Sequence, residues 1–111
     1  MDTYHEVKDE AKVQALMASM ERDGWQGAPL VAEGDQLYTG VHRYTAAQRL
    51  GWADYQIPTV DVREIWEALG RDFEAEVAEV IDDYADGSVC IAEMLGNLPQ
   101  ETKDYYGIDC Y

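Results

Sequence analysis

The segment from Leu37 to Gly51 contains residues whose types and spacing could bind a charged ligand. It reads Leu-Tyr-Thr-Gly-Val-His-Arg-Tyr-Thr-Ala-Ala-Gln-Arg-Leu-Gly, which predicts a short strand, a glycine turn and a helix. The first amides of a helix lack intrahelical acceptors and lie at the positive end of its dipole, so they attract anions. Gly40 permits close backbone approach, and Arg43 supplies a forked cationic donor. A phosphate-sized anion is the expected ligand.

Six residues form the candidate phosphate-binding set. They are Thr39, Gly40, Val41, His42, Arg43 and Arg49. We expect backbone contacts from residues 40–42 and a charged contact from Arg43. The hydroxyl of Thr39 could donate to a phosphate or simply cap the turn. A single histidine is often structural, but the position of His42 beside an arginine in a glycine turn favours phosphate contact.

A wider ordered set of residues surrounds this turn. A predicted helix ends in Asp23-Gly24-Trp25, and after it come Ala28-Pro29-Leu30-Val31-Ala32, Gly34-Asp35-Gln36-Leu37-Tyr38, Gly40-Val41-His42-Arg43-Tyr44 and Ile57-Pro58-Thr59-Val60. Over about residues 9–63 this order resembles the ParB/sulfiredoxin-like domain. The resemblance implies an α+β fold with a small mixed sheet flanked by helices. It also implies a Gly-x-His-Arg turn that grips the phosphates of a nucleoside triphosphate, ATP or CTP, with or without Mg²⁺.

Val41 marks a departure from the chemistry of that family. Sulfiredoxins place a catalytic cysteine immediately before the His-Arg pair, and partition proteins usually carry glutamate there. Valine offers neither a thiolate nor a base that activates water. The resemblance therefore implies a nucleotide- or phosphate-binding module, extending to a minimal or degenerate NTPase, for which the residues name no general base. Trp25 and Trp52 could pack in the core or stack on a nucleotide base.

The distribution of charge suggests a different class of function. The 111 residues include 8 Lys and Arg against 23 Asp and Glu, a net charge of −15. Residues 1–63 carry −4 and residues 64–111 carry −11. Such a field repels a nucleic-acid backbone, so we expect no direct DNA binding. The alternative function is a non-enzymatic acidic interaction protein, such as a phage or plasmid inhibitor that mimics nucleic acid and engages a basic protein. A solvated acidic face that aids solubility explains the same charges.

Hydrophobic periodicity predicts one domain made of two parts. Residues 1–63 form the predicted ParB/sulfiredoxin-like core, and residues 64–111 form an acidic helical extension packed on it. The predicted elements are a helix over 7–22, a hairpin of 29–33 with 36–39, a helix that ends near Gly51, a strand over 57–63, a long helical stripe from Trp66 to Tyr84 and a last helix ended by Pro99.

The segment from Asp82 to Glu93 partly matches a calcium-binding loop. Asp82, Asp86 and Glu93 stand at positions 1, 5 and 12 of the EF-hand pattern. Tyr84 removes the carboxylate expected at the third position, and the thiol of Cys90 is a poor calcium ligand. An acidic turn in which a glycine ends a helix explains the same residues.

Cysteine usage and hydropathy predict a compartment. Cys90 and Cys110 form neither a Cys-x-x-Cys pair nor a disulfide framework. No apolar run approaches the ~20 residues that cross a bilayer, and we identify no signal peptide. The sequence therefore predicts a reduced, cytoplasmic protein with no membrane segment. We expect Cys110 to be an exposed free thiol and assign no role to His5.

Overall fold

The structure, a computed structural model, describes residues 2–3, 6–84 and 86–108, which contain four short strands, six α-helices and two 3₁₀ helices, Asp54–Gln56 and Ile81–Asp83. The strands are β1 (Asp2–Thr3), β2 (Leu30–Glu33), β3 (Gln36–Leu37) and β4 (Thr59–Asp61). The helices are α1 (Glu10–Asp23), α2 (Val41–Arg49), α3 (Val62–Ala68), α4 (Phe73–Val80), α5 (Gly87–Gly96) and α6 (Gln100–Tyr106). The expectations for His5 and Cys110 concern residues outside these ranges.

The strands form one mixed sheet in the order β1-β3-β2-β4. β2 and β3 are antiparallel, whereas β1 pairs with β3 and β4 pairs with β2 in parallel. The predicted hairpin is confirmed, and its two-residue turn uses Gly34 at φ +56°, a conformation that glycine adopts without steric cost. The α+β class with a small mixed sheet is thereby confirmed.

The sheet is covered by helices on both faces because side chains alternate along its strands. On β2, Leu30 and Ala32 belong to the apolar cluster that contains Val13 of α1 and Tyr44 of α2. Val31, between them, joins the opposite cluster. That second cluster contains buried residues from α3, α4 and α5 together with Tyr38: they are Val62, Ile65, Trp66, Phe73, Ile91, Ala92 and Leu95. The helices after residue 61 therefore share a core with the sheet.

The predicted strand over 57–63 is wrong in its second half. β4 ends at Asp61, and α3 begins at Val62. The carboxylate of Asp61 accepts a hydrogen bond from the Arg63 amide at 2.8 Å, and Glu64 accepts one from the Asp61 amide at 2.9 Å. This reciprocal capping box satisfies backbone donors at a helix start. Local capping outweighs the apolar alternation that suggested a continuing strand.

The long helical stripe after Trp66 is two helices rather than one. α3 ends at Ala68, Gly70 has φ +70°, and the carboxylate of Asp72 accepts from the Ala75 amide at 3.2 Å to begin α4. Left-handed glycine followed by an aspartate cap is a strong stop and start signal. The helix predicted to end at Pro99 corresponds to α5, while α6 was not predicted because it is short and polar.

An ion pair fastens the connection between α3 and α4. Arg71 donates to Glu76, with Nε 2.8 Å from Oε2, and its Cζ lies 5.5 Å from the centre of the Trp66 ring. The hydrogen bond from Arg71 lowers the pKa of Glu76 below its usual value. A carboxylate with a lowered folded-state pKa stabilises the fold above its unfolded pKa, and this contribution is lost as the pH falls through the folded value.

We expect Glu76→Gln to reduce stability at pH 7 relative to the matched variant Glu79→Gln on the same helix. Both changes remove one negative charge, so both relieve the same overall repulsion, but only Glu76 has an ion-pair partner among the described residues. Urea unfolding of the two variants should differ at pH 7 and converge well below the unfolded glutamate pKa of about 4.3. Equal stabilities at pH 7 would contradict the assignment.

Candidate functional site

Gly40 is the point at which the sheet region turns into α2. It is the N-cap residue of that helix, with φ 69° and ψ 35°, a left-handed conformation that costs about 1–2 kcal/mol for residues with a side chain. A Cβ atom placed on Gly40 would overlap Cδ2 of Leu30, which lies in β2. The turn therefore requires glycine for two independent reasons, and it holds the first turn of α2 directly against the sheet.

The N-terminus of α2 differs from those of four other described helices. In α1, α3, α4 and α5 an aspartate side chain accepts a hydrogen bond from a first-turn amide; the caps are Asp9, Asp61, Asp72 and Asp86. α2 has no side-chain cap and no acidic residue in its first turn, which instead contains His42 and Arg43. An aspartate cap occupies the amides and repels anions. The start of α2 is thus electrostatically suited to a negative ligand.

The guanidinium of Arg43 is fixed beside this turn. Its Nη1 donates to the carbonyl oxygen of Ala28 at 2.7 Å and to that of Gln26 at 3.2 Å. A Cβ on Gly40 would lie 3.4 Å from Nη2, so the guanidinium borders the turn. Hydrogen bonds from a charged donor to backbone carbonyls orient the planar fork. Arg43 consequently links α2 to the loop that precedes β2.

Trp25 contacts the same guanidinium. Its ring centre lies 4.7 Å from Cζ of Arg43, within the range of a cation–π interaction. The indole Nε1 is buried and has no hydrogen-bond partner among the described residues. Trp25 and Trp52 both pack against the cluster formed by α1, α2 and the sheet. Both tryptophans therefore contribute to the core, and Trp25 also contacts Arg43 at the candidate site.

Three of the predicted site residues direct their side chains to other partners. The buried Thr39 hydroxyl accepts from the Val31 amide at 3.0 Å, and Nε2 of His42 accepts from the Asp9 amide at 3.3 Å. Arg49 donates to Glu10, with Nη2 2.9 Å from Oε1, and the bond from Arg49 lowers the pKa of Glu10.

These partners determine what each residue can supply. Because Arg49 ends α2, it lies roughly 13 Å from the glycine turn. Nε2 of His42 is engaged by the Asp9 amide, whereas the backbone amides of Val41 and His42 lie in the first turn of α2. The structure brings together residues 40–43 but not Arg49.

The three acidic residues of the segment that partly matches a calcium-binding loop have other positions in the fold. α5 begins at Gly87, so this glycine starts a helix rather than ending one, and Asp86 caps it by accepting from the Ser88 amide at 2.8 Å. Glu93 lies on α5 roughly 10 Å along the axis from Asp86. No group of three potential metal ligands occurs within the described ranges. The hydrogen bonds from Ser88 lower the pKa of Asp86, as expected for a helix cap.

Arg63 is an important residue that the sequence did not single out. Its guanidinium pairs with Glu33 of β2 at 3.0 Å, with Asp61 at 3.4 Å and with Glu74 of α4, and it lies over the Phe73 ring. These carboxylates raise the pKa of Arg63. The alternation of residues 60–63 suggested a half-exposed strand position, which gave no signal of this role. Arg63 joins the sheet to two helices.

Comparison with known protein families, with curated proteins and with solved structures finds no match to this chain. Across the described residues, no helix combines the length and the apolar character that crossing a membrane requires.

We expect Gly40→Ala to destabilise the protein by about 3 kcal/mol, combining left-handed strain with overpacking against Leu30. Gly70→Ala is the matched control, because Gly70 also has positive φ but has open space around its Cβ position. That variant should lose only about 1 kcal/mol. Chemical denaturation measures both changes, and equal losses would show that the contact with Leu30 does not constrain the turn.

Proposed function

We propose that this chain is a phosphate-binding module whose ligand is the phosphate chain of a nucleoside triphosphate, ATP or CTP, held at the Gly40 turn. One observation carries the proposal. In a chain of net charge −15, the α2 N-terminus has neither an acidic residue nor a side-chain cap, and Arg43 lies beside it. Uncapped amides together with a guanidinium form a common anion-binding arrangement.

The residues would divide the work of binding as follows. The amides of Val41 and His42 would donate to phosphate oxygens, and the guanidinium of Arg43 would supply charge. Carbonyl bonds and the Trp25 ring already orient that guanidinium, which reduces the entropy lost on binding. Magnesium would enter with the nucleotide, whose phosphates are its usual ligands.

We propose that the Gly40 turn binds a ligand, and we assign no reaction to it. Val41 provides no nucleophile or base, and Nε2 of His42 is engaged by the Asp9 amide. A ParB/sulfiredoxin-like fold is part of the proposal. It is supported by the order helix, hairpin, glycine turn, helix and strand, which runs from α1 to β4 as the resemblance implies. A fold alone does not assign a reaction.

Calorimetry with ATP, CTP and GTP, with and without magnesium, tests nucleotide binding. We expect micromolar to millimolar affinity for at least one nucleotide. Arg43→Ala should weaken it by about 1.5–3 kcal/mol, the value for a charge-assisted hydrogen bond. Arg49→Ala removes the same charge at the opposite end of α2 and should leave the affinity nearly unchanged.

Circular dichroism of both variants should establish that they remain folded, because Arg43 also supports the loop before β2. Absence of heat for all three nucleotides would contradict the proposal. An equal loss for Arg43→Ala and Arg49→Ala would instead indicate general attraction rather than a site.

We propose as a second candidate that the chain binds a basic protein through its acidic surface. The observation that favours it is that four arginines are paired with acidic side chains, whereas the acidic side chains as a whole lie at the surface. Arg22, Arg49, Arg63 and Arg71 each pair with an acidic side chain. Lys103 is buried and donates to the Gly96 carbonyl at 3.0 Å. Among the residues whose burial is described, every acidic side chain is exposed or half-buried, so the surface carries most of the negative charge.

Binding to a basic protein should weaken steeply as salt rises, because exposed charges are screened over ~10 Å at 0.1 M. Pull-down with a cationic protein such as lysozyme, across a salt series, measures this dependence. Gel-shift assays should give no DNA binding by the isolated chain. Tight DNA binding, or capture that does not change with salt, would count against this second function.

A further inference from the structure

A shallow apolar groove lies between the end of α3 and the outer side of α6. Its volume is about 280 Å³, and its lining residues are Ile65, Ala68, Leu69, Glu101, Thr102, Tyr105 and Tyr106. Pockets for drug-sized ligands begin at about 300 Å³. The groove is therefore closer in size to the seat of one or two side chains than to a cofactor site.

The groove exposes apolar surface that the fold leaves uncovered. Tyr105 is 76% exposed and Leu69 is 36% exposed. They are two of the four large hydrophobic residues exposed in the described protein, and both line this groove. The ring centres of Tyr105 and Tyr106 are 4.9 Å apart in an edge-to-face arrangement, which fixes the outer wall. Exposed tyrosines of limited flexibility are typical of protein-binding hot spots.

The charge around the groove is negative and is not balanced locally. Glu101 is the charged residue in its lining, and no described cation forms an ion pair with it. The cation of α6, Lys103, is buried and bonded to the Gly96 carbonyl. On α3, Arg63 is already engaged by Glu33 and Glu74. A guest with positive charge would therefore meet a carboxylate and an aromatic face at the same place.

A second copy of the chain is a poor occupant because each copy carries a net charge of −15, and like charges repel. Tyrosine faces attract guanidinium and ammonium groups, most strongly where water is displaced. The stems of arginine and lysine are themselves apolar and lie well on leucine and alanine surfaces. A single arginine or lysine side chain therefore matches both the negative charge and the apolar surface of the groove.

We infer that this groove, lined by Leu69, Glu101 and Tyr105, is the docking site for a basic segment of a partner protein. An arginine or lysine side chain lies along Tyr105 with its charge at Glu101, and a neighbouring aliphatic residue covers Leu69. This inference rests on the second proposed function, because it specifies which part of the acidic surface recognises the partner.

Fluorescence anisotropy with a labelled peptide of repeated Arg-Gly-Leu-Gly units tests the inference on the full chain. We expect Tyr105→Ala to weaken peptide binding about tenfold, from loss of the aromatic face and its apolar contact. Tyr55→Ala is the matched control, because Tyr55 is 90% exposed and does not line the groove, and it should bind like the original chain. Glu101→Gln should weaken binding more than Glu93→Gln, which removes an exposed charge from α5.

The outcomes separate this inference from the proposal beneath it. Salt-sensitive peptide binding that Tyr105→Ala and Tyr55→Ala reduce equally would overturn the groove and leave the acidic surface as the binding element. Failure of the original chain to bind the peptide at low salt would overturn both. Equal binding of a Gln-Gly-Leu-Gly peptide would also overturn the groove as a site for basic segments, because it would show that the guest needs no positive charge.

Discussion

The contact between Gly40 and Leu30 is the constraint on which the arrangement of the candidate phosphate site depends. Because Leu30 belongs to the buried strand β2, its side chain cannot move far without disturbing the core it shares with α1 and α2. The backbone can pass over it only where no Cβ is present. Sheet and helix therefore meet at a fixed distance, and the first amides of α2 and the guanidinium of Arg43 are placed by the same packing that stabilises the fold.

The first turn of α2 differs in charge from the rest of the surface, which is acidic. Elsewhere on the surface, carboxylates cap helices or lie in solvent. Most arginines form ion pairs with carboxylates. The first turn of α2 itself contains no acidic residue and has no side-chain cap. A nucleotide approaching the protein would be repelled by the whole and attracted only at short range. Added salt screens both the repulsion of anions and the attraction of cations by this acidic surface.

Much of the fold could be predicted from the sequence because its signals are local. The Gly34-Asp35 turn determines the hairpin, and apolar spacing identifies α1 and α2. The start of α3 at Val62 was missed, and Gly70 reads as only a weak interruption of one helix, because the periodic pattern of apolar residues runs through both breaks. α6 has too little apolar character to stand out. Its two tyrosines line a groove only because α3 packs beside them.

The backbone part of the candidate site could be predicted from the sequence. Gly40 and the first amides of α2 follow from the order of residue types. The destinations of long side chains do not, since Arg49 reaches Glu10 and His42 meets the Asp9 amide across contacts distant in sequence. Arg63 likewise pairs with carboxylates from two strands and a helix. Such pairings depend on how helices pack against one another, which a single sequence does not specify.

The two edge strands of the sheet are short, and their length affects how readily the chain aggregates at high concentration. Within the described residues, β1 contains two residues and β4 three, and these are the two edges of the sheet. An edge this short offers a neighbouring molecule too few backbone groups to nucleate an intermolecular ladder. Protection from aggregation is thus built into the geometry of the sheet as well as into its charge.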